Sequence, residues 1–248
     1  MMGKKIVIAY SGGCDSTLLL YNTIVNNKDD DITALSIRYK QIGDFKYTNE
    51  CVARVNFLSF MRSKGYNFNL EHIEFDNNWI TRSYGPIQPT MWLNILAHYI
   101  FENTTVYFGY IDGDYIWRYM REFTVVFENL MKIMDKSGCS LDFPLHGYSK
   151  IDVINNLNKA GIPDNCYWFC EGNHKDLKPC GECSPCLQYK AAKYIIEEKS
   201  RLCSNCCNCS VVPVSSNEEV KHDNSSIKVG GLEFSGELGY IIDGDNIK

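Results

Sequence analysis

Residues 4–21 read Lys4-Lys5-Ile6-Val7-Ile8-Ala9-Tyr10-Ser11-Gly12-Gly13-Cys14-Asp15-Ser16-Thr17-Leu18-Leu19-Leu20-Tyr21, and this stretch decides the fold. A short apolar run ends in a Gly-rich turn. A second apolar run then opens a helix, with Leu20 and Ile24 four apart on one face. Two consecutive glycines let the backbone turn sharply and bring its N–H groups close to a ligand. Ser11, Ser16 and Thr17 add hydroxyl donors, and the helix adds its N-terminal N–H groups and positive dipole end. Together they predict a seat for a polyphosphate, and so ATP. Asp15 would repel a bare phosphate, which a Mg²⁺ ion between the two resolves. The plainer reading makes Gly13 a bend and Asp15 or Ser16 a helix cap. Ser-Gly-Gly-x-Asp-Ser-Thr between a clear strand and a clear helix favours phosphate. It is not a Walker A loop, because no Gly-Lys-Ser/Thr follows.

Outward from the loop the alternation continues. Residues 32–38, 70–75 and 105–109 read as strands; residues 49–63, 91–102 and 121–134 read as helices. Ser149-Lys150-Ile151-Asp152 has the form of a capping box, so a further helix should start there. Strands alternating with helices predict an α/β fold, a mostly parallel sheet with helices on both faces. In such sheets the ligand sits outside the carboxyl ends of the strands, where the 11–17 loop lies. We expect residues 1–165 to form this nucleotide-binding domain. Residues 166–200 should form a small metal-binding region with a helix over 184–198. Residues 201–248 read as a polar tail, weakly ordered or with a small hairpin over 232–242.

The hydrophobic share of 45% and charged share of 22% are those of a globular chain. No apolar run reaches the ~18 residues needed to span a bilayer. Residues 1–5 run directly into the first strand without a cleavage-site pattern, so a cytoplasmic protein with no membrane partner is expected. The formal charge of -5 argues against a protein that coats nucleic acid.

Twelve cysteines without a secretion signal do not read as a disulfide framework. Most lie between Cys166 and Cys209, which suggests metal ligands. Cys180-Gly181-Glu182-Cys183-Ser184-Pro185-Cys186 holds two overlapping C-x-x-C steps, each placing two thiolates about one metal. Cys170 is the best fourth ligand; Cys166 and His174 are weaker choices. A structural Zn²⁺ in a closed four-thiolate site is the natural reading, and an iron–sulfur cluster is its rival. Cys203, Cys206, Cys207 and Cys209 lack this turn chemistry and receive no role.

Other side chains carry paired readings. Asp114 could accept two N–H bonds from a purine amidine edge, or lie in a solvated turn beside Gly113. Tyr115 and Trp168 could stack on a flat base, though Trp168 reads equally well as core beside the metal site. Lys150 could contact phosphate or a substrate carboxylate, or be an exposed turn lysine. His72, His98 and His146 have no ligand spacing and read as structural.

The loop resembles the PP-loop of ATP pyrophosphatases. Paired with C…C-G-x-C-x-x-C near residue 180, it resembles the 7-cyano-7-deazaguanine synthases, the QueC family, over residues 6–194. Tyr39-Lys40-Gln41 is similar to the family's Tyr-Gly-Gln. Gly109, Asp114-Tyr115 and Glu122-Phe123 match the start and end of its substrate motif. Pro144-Leu145 with Ser149-Lys150 matches Pro-Leu…Thr-Lys, and Tyr167-Trp168-Phe169-Cys170 stands for Thr-Trp-Ser-Cys. The resemblance implies an adenine-nucleotide α-hydrolase-like fold. It implies ATP and Mg²⁺ at Tyr10, Ser11, Gly12, Gly13, Cys14, Asp15, Ser16, Thr17 and Gln41, with Ser11, Asp15, Ser16 and Lys150 catalytic. It implies a 7-deazaguanine at Asp114, Tyr115, Arg121 and Trp168, and Zn²⁺ on Cys170, Cys180, Cys183 and Cys186. The implied reaction adenylates 7-carboxy-7-deazaguanine, releasing AMP and pyrophosphate, and forms an amide and then a nitrile with ammonia; a homodimer is expected. Between Asp114-Tyr115 and Glu122-Phe123 the chain is shorter than the family and keeps only an arginine of its Tyr-Pro-Asp-Cys-Arg run. Diverged members in antiviral operons join the deazaguanine to a protein amine, a second reading. A tRNA-modifying PP-loop enzyme and a nucleotide-sensing module are further alternatives.

Overall fold

The computed structural model describes residues 3–40, 45–76, 87–172, 178–204, 227–229, 232–234 and 241–242. Gln41 and His174 lie outside them, as do Cys206, Cys207 and Cys209. Five strands form one parallel sheet: β1 (Lys5–Ala9), β2 (Asp31–Lys40), β3 (Asn69–Asp76), β4 (Thr104–Tyr107) and β5 (Ser140–Asp142), in the order β3-β2-β1-β4-β5. The crossovers are α1 (Cys14–Asn26), α2 (Phe45–Ser63), α3 (Ile87–Tyr99) and α4 (Met120–Ile133), followed by α5 (Lys150–Lys159) and α6 (Ser184–Ser204). Three short strands late in the chain, β6 (Ile227–Val229), β7 (Leu232–Phe234) and β8 (Ile241–Ile242), pair antiparallel as a separate small sheet.

β1 explains why its sequence is a continuous apolar run rather than an alternating one. Ile6 and Ile8 pack with α1, α2 and α5 through Leu18, Phe57 and Leu157. Val7 and Ala9, pointing the other way, pack with α3 and α4 through Leu96 and Phe123. A parallel strand buried on both faces needs apolar side chains at every position. The fold is thus the expected α/β arrangement, a parallel sheet with helices on both faces.

Several boundaries differ from the sequence reading. α1 begins at Cys14, so the loop itself supplies the first helical turn. α3 runs from Ile87 to Tyr99, earlier than expected. β5 has no counterpart in the sequence reading: its three residues carry only one apolar side chain, and it exists because the edge of β4 offers a parallel partner. β1 pairs with β2 on one side and β4 on the other, so the winding reverses there. The loop after β1 therefore opens at the switch point of the sheet, where such folds bind ligands.

Candidate functional site

Gly12 has φ +91°, and a Cβ there would come within 2.9 Å of both Arg54 Cγ and the Glu50 carbonyl oxygen. Only glycine suits that position. Gly13 is the N-cap of α1 and brings no capping side chain. The serines converge on the turn. The Gly13 N–H donates to Ser11 Oγ at 3.1 Å, and Ser16 Oγ donates to the Gly13 carbonyl at 3.1 Å. The two hydroxyl oxygens are 3.0 Å apart. A helix N-terminus without a capping side chain, flanked by two hydroxyls, is suited to an anion.

Lys150, the first residue of α5, reaches the loop from the far end of the sequence. Its ammonium donates to both Asp15 carboxylate oxygens at 2.7 Å. Desolvation alone would lower the Lys150 pKa, but Asp15, then Cys14 and Asp114, hold it raised. Asp114 belongs to the same electrostatic group. Burial chiefly pushes it up to about 6, with Asp15 and Asp112 adding to the rise and the Ile111 N–H and Lys150 opposing it. The Ile111 N–H donates to Asp114 Oδ2 at 2.8 Å.

Several other expected contact residues have buried side chains. Tyr10, Cys14 and Thr17 are buried, their side chains turned into the core. The Tyr10 N–H is also spent on the Leu35 carbonyl at 2.9 Å. Burial pushes the Cys14 thiol up to about 11 against the pull of Lys150. Trp168 is also buried, packed with Ala53, Cys170 and Cys186, and its indole N–H donates to the Cys170 carbonyl at 2.8 Å. Its backbone does more: the Trp168 N–H donates to the Gly12 carbonyl at 2.8 Å, and Trp168 bridges Gly13 in parallel register. Arg54 of α2, absent from the sequence reading, donates through Nη1 to the Ser11 carbonyl. Nothing in its local sequence marks it; only the packing of α2 under the loop brings it there.

The sulfurs of Cys170, Cys180, Cys183 and Cys186 all lie within 4.8 Å of one another. Cys180 and Cys186 are 3.8 Å apart, and Cys183 and Cys170 are 3.9 Å apart. Four thiolates bound tetrahedrally at ~2.3 Å from one Zn²⁺ would stand about 3.8 Å apart, so the spacing fits a single ion. The turn supplies N–H groups to the sulfurs, from Gly172 and Cys180 to Cys170 at 3.2 Å each and from Cys183 to Cys180 at 3.3 Å. Gly181, at φ +82°, makes the bend between Cys180 and Cys183. This cluster could hold a metal.

No family model matches the chain. It is 24% identical over 211 residues to the 7-cyano-7-deazaguanine synthase of Picrophilus torridus, covering 74% of this chain and 84% of that protein. It is 26% identical over 217 residues to the 7-cyano-7-deazaguanine synthase of Thermoplasma acidophilum, covering 75% and 86%. Among solved structures, the U34-tRNA thiolase NcsA from Methanococcus maripaludis is similar at a TM-score of 0.45 and 16% identity, covering 83% of this chain and 74% of that one. The chain is thus similar to these synthases over about three quarters of its length. Between Asp114 and Glu122 the chain forms a 3-10 turn, Tyr115–Tyr119, leading into α4. Trp117 anchors it by donating to the Ile111 carbonyl at 2.7 Å. Tyr115 and Tyr119 stand 48% and 38% exposed, their hydroxyls 2.8 Å apart. Arg121 is exposed in the first turn of α4. Among the described residues no helix is long and apolar enough to cross a membrane.

Proposed function

We propose that this QueC-like chain uses ATP to adenylate the carboxylate of 7-carboxy-7-deazaguanine. A carboxylate oxygen attacks the α-phosphorus and pyrophosphate leaves. Ammonia then attacks the acyl carbon, AMP leaves and an amide forms. The amide oxygen then attacks the α-phosphorus of a second ATP, a second pyrophosphate leaves, and loss of AMP and protons leaves a nitrile. The observation that carries this reading is the meeting of the 11–17 loop, Lys150 and Asp114 at the switch point, in a chain related to synthases of that name.

In this reading the loop N–H groups with Ser11 and Ser16 hold the departing pyrophosphate. Lys150 neutralises charge on the α-phosphate side, and Asp114 accepts N–H bonds from the purine. Asp15 is the one carboxylate of the loop and so the side chain best suited to hold Mg²⁺, which when bound would offset polyphosphate charge. Lys150 occupies both Asp15 oxygens, so it would share or yield one of them. Cys170, Cys180, Cys183 and Cys186 would hold Zn²⁺ structurally, since four thiolates leave no open position.

Incubating the chain with ATP, Mg²⁺, ammonia and the deazaguanine acid should release AMP and pyrophosphate only when the acid is present. No AMP at any ammonia concentration would remove the proposal. The exposed Tyr115 and Tyr119 favour one second reading, an acceptor larger than ammonia such as a protein amine. Intact-mass analysis of a co-expressed partner would then show a deazaguanine-sized adduct.

A further inference from the structure

A loop that offers N–H groups to an anion must send its carbonyl oxygens elsewhere, because a carbonyl aimed at phosphate repels it. Two successive carbonyls are held from behind in this loop. The Gly12 carbonyl accepts from the Trp168 N–H at 2.8 Å, and the Ser11 carbonyl accepts from Arg54 Nη1. Arg54 is only 5% exposed. Its stem packs against Gly12 at the place a side chain would occupy. Its second nitrogen, Nη2, donates to Cys51 Sγ at 2.9 Å, and its guanidinium carbon lies 5.1 Å from the Tyr47 ring centroid.

A guanidinium does not shed its charge on burial, and desolvating it is costly unless an anion or several acceptors compensate. Among the described residues its contacts include a carbonyl, a thiol and an aromatic face, none of the three a carboxylate. An anion bound on the other side of a single peptide unit would supply compensation that these three do not. We infer that Arg54 is a positioning residue for the polyphosphate of a bound nucleotide. It fixes the Ser11 carbonyl away from the ligand and sets a positive charge directly behind the loop. This rests on reading the 11–17 loop as the polyphosphate seat. Arg54 acts through the loop and does not itself touch the nucleotide. Its effect should therefore be felt by ligands carrying a β-phosphate and hardly at all by AMP.

The test is calorimetric titration of the full chain with Mg²⁺-ATP, pyrophosphate and AMP, for the wild type, Arg54→Met and Arg54→Lys. Arg54→Met should weaken ATP and pyrophosphate about tenfold or more, the worth of one charged hydrogen bond. AMP should change by no more than about twofold on the same reasoning. Arg54→Lys keeps the charge, but one ammonium cannot replace a fork that serves Ser11 and Cys51 together, so it should show a smaller loss in the same ATP-to-AMP ratio. Should Arg54→Met fail to fold, the ratio in Arg54→Lys decides. An equal loss for AMP and ATP would make Arg54 merely structural, and an unchanged ratio in both variants would overturn its role. A wild type that binds neither ATP nor pyrophosphate overturns the loop reading along with it; a wild type that binds them, beside variants that bind equally, overturns the role of Arg54 alone.

Discussion

Asp114 shows what one side chain contributes once its surroundings are known. Its ordinary value is 3.8, and burial, with Asp15 and Asp112 behind it, pushes it up to about 6. Between those values the folded chain binds the proton more tightly than the unfolded chain, so this group's contribution to stability falls as pH rises through that window. Recognition runs the opposite way. If the carboxylate accepts purine N–H bonds, kcat/KM for the deazaguanine acid should fall as pH drops below about 6. Asp114→Asn should remove that acid limb and lower kcat/KM about tenfold; a pH–rate profile with the limb intact in the variant would take Asp114 out of recognition. The sequence offers Asp114 as either a purine reader or a solvated turn. The Ile111 N–H bond fits the turn, while the partial burial, which argues against a fully solvated side chain, comes from packing that local sequence does not encode.

At the scale of elements, α5 links local sequence to the site. Ser149 Oγ accepts from the Asp152 N–H at 3.2 Å, and the Ser149 N–H donates to Asp152 Oδ2 at 2.9 Å, closing a capping box. The box starts the helix at Lys150 and so sets the root of the side chain that reaches Asp15. Ser149→Ala should cost about 1 kcal/mol. For a chain of this size that lowers Tm by roughly 2–4 °C, read by thermal melting. The same variant should raise KM for ATP, because Lys150 leaves from a frayed turn. The box was legible because its two partners are three residues apart. β5 was not, since Ser140-Leu141-Asp142 has too few apolar residues to announce a strand and pairs only because β4 lies beside it.

Across the whole molecule the cysteine cluster and the 11–17 loop are mechanically joined. From Cys170, the Trp168 indole N–H holds the Cys170 carbonyl, and the Trp168 backbone holds Gly12 and bridges Gly13. Ala53, the neighbour of Arg54 in α2, packs in the same cluster. With zinc on the four thiolates, the protein should carry one zinc per chain and be colourless, as metal analysis and absorption would check. Stripping the metal should lower Tm and also weaken ATP binding, because four uncompensated thiols would no longer hold the 168–170 segment against the loop. Metal-free protein that melts lower but binds ATP as before would show the cluster to be a remote staple.

By itself the sequence determined the sheet class, the Gly-rich loop after β1 and the grouping of Cys170, Cys180, Cys183 and Cys186, because each is written in neighbouring residues or a fixed short spacing. Apolar runs, paired glycines and C-x-x-C steps act over a few positions, where chain geometry leaves little choice. Only the tertiary structure decided that Lys150 meets Asp15, that Tyr10, Cys14, Thr17 and Trp168 turn their side chains inward, and that Arg54 stands behind the loop. The Arg54 and Lys150 contacts join residues 43 and 135 positions apart, and they depend on which helix packs on which face of the sheet.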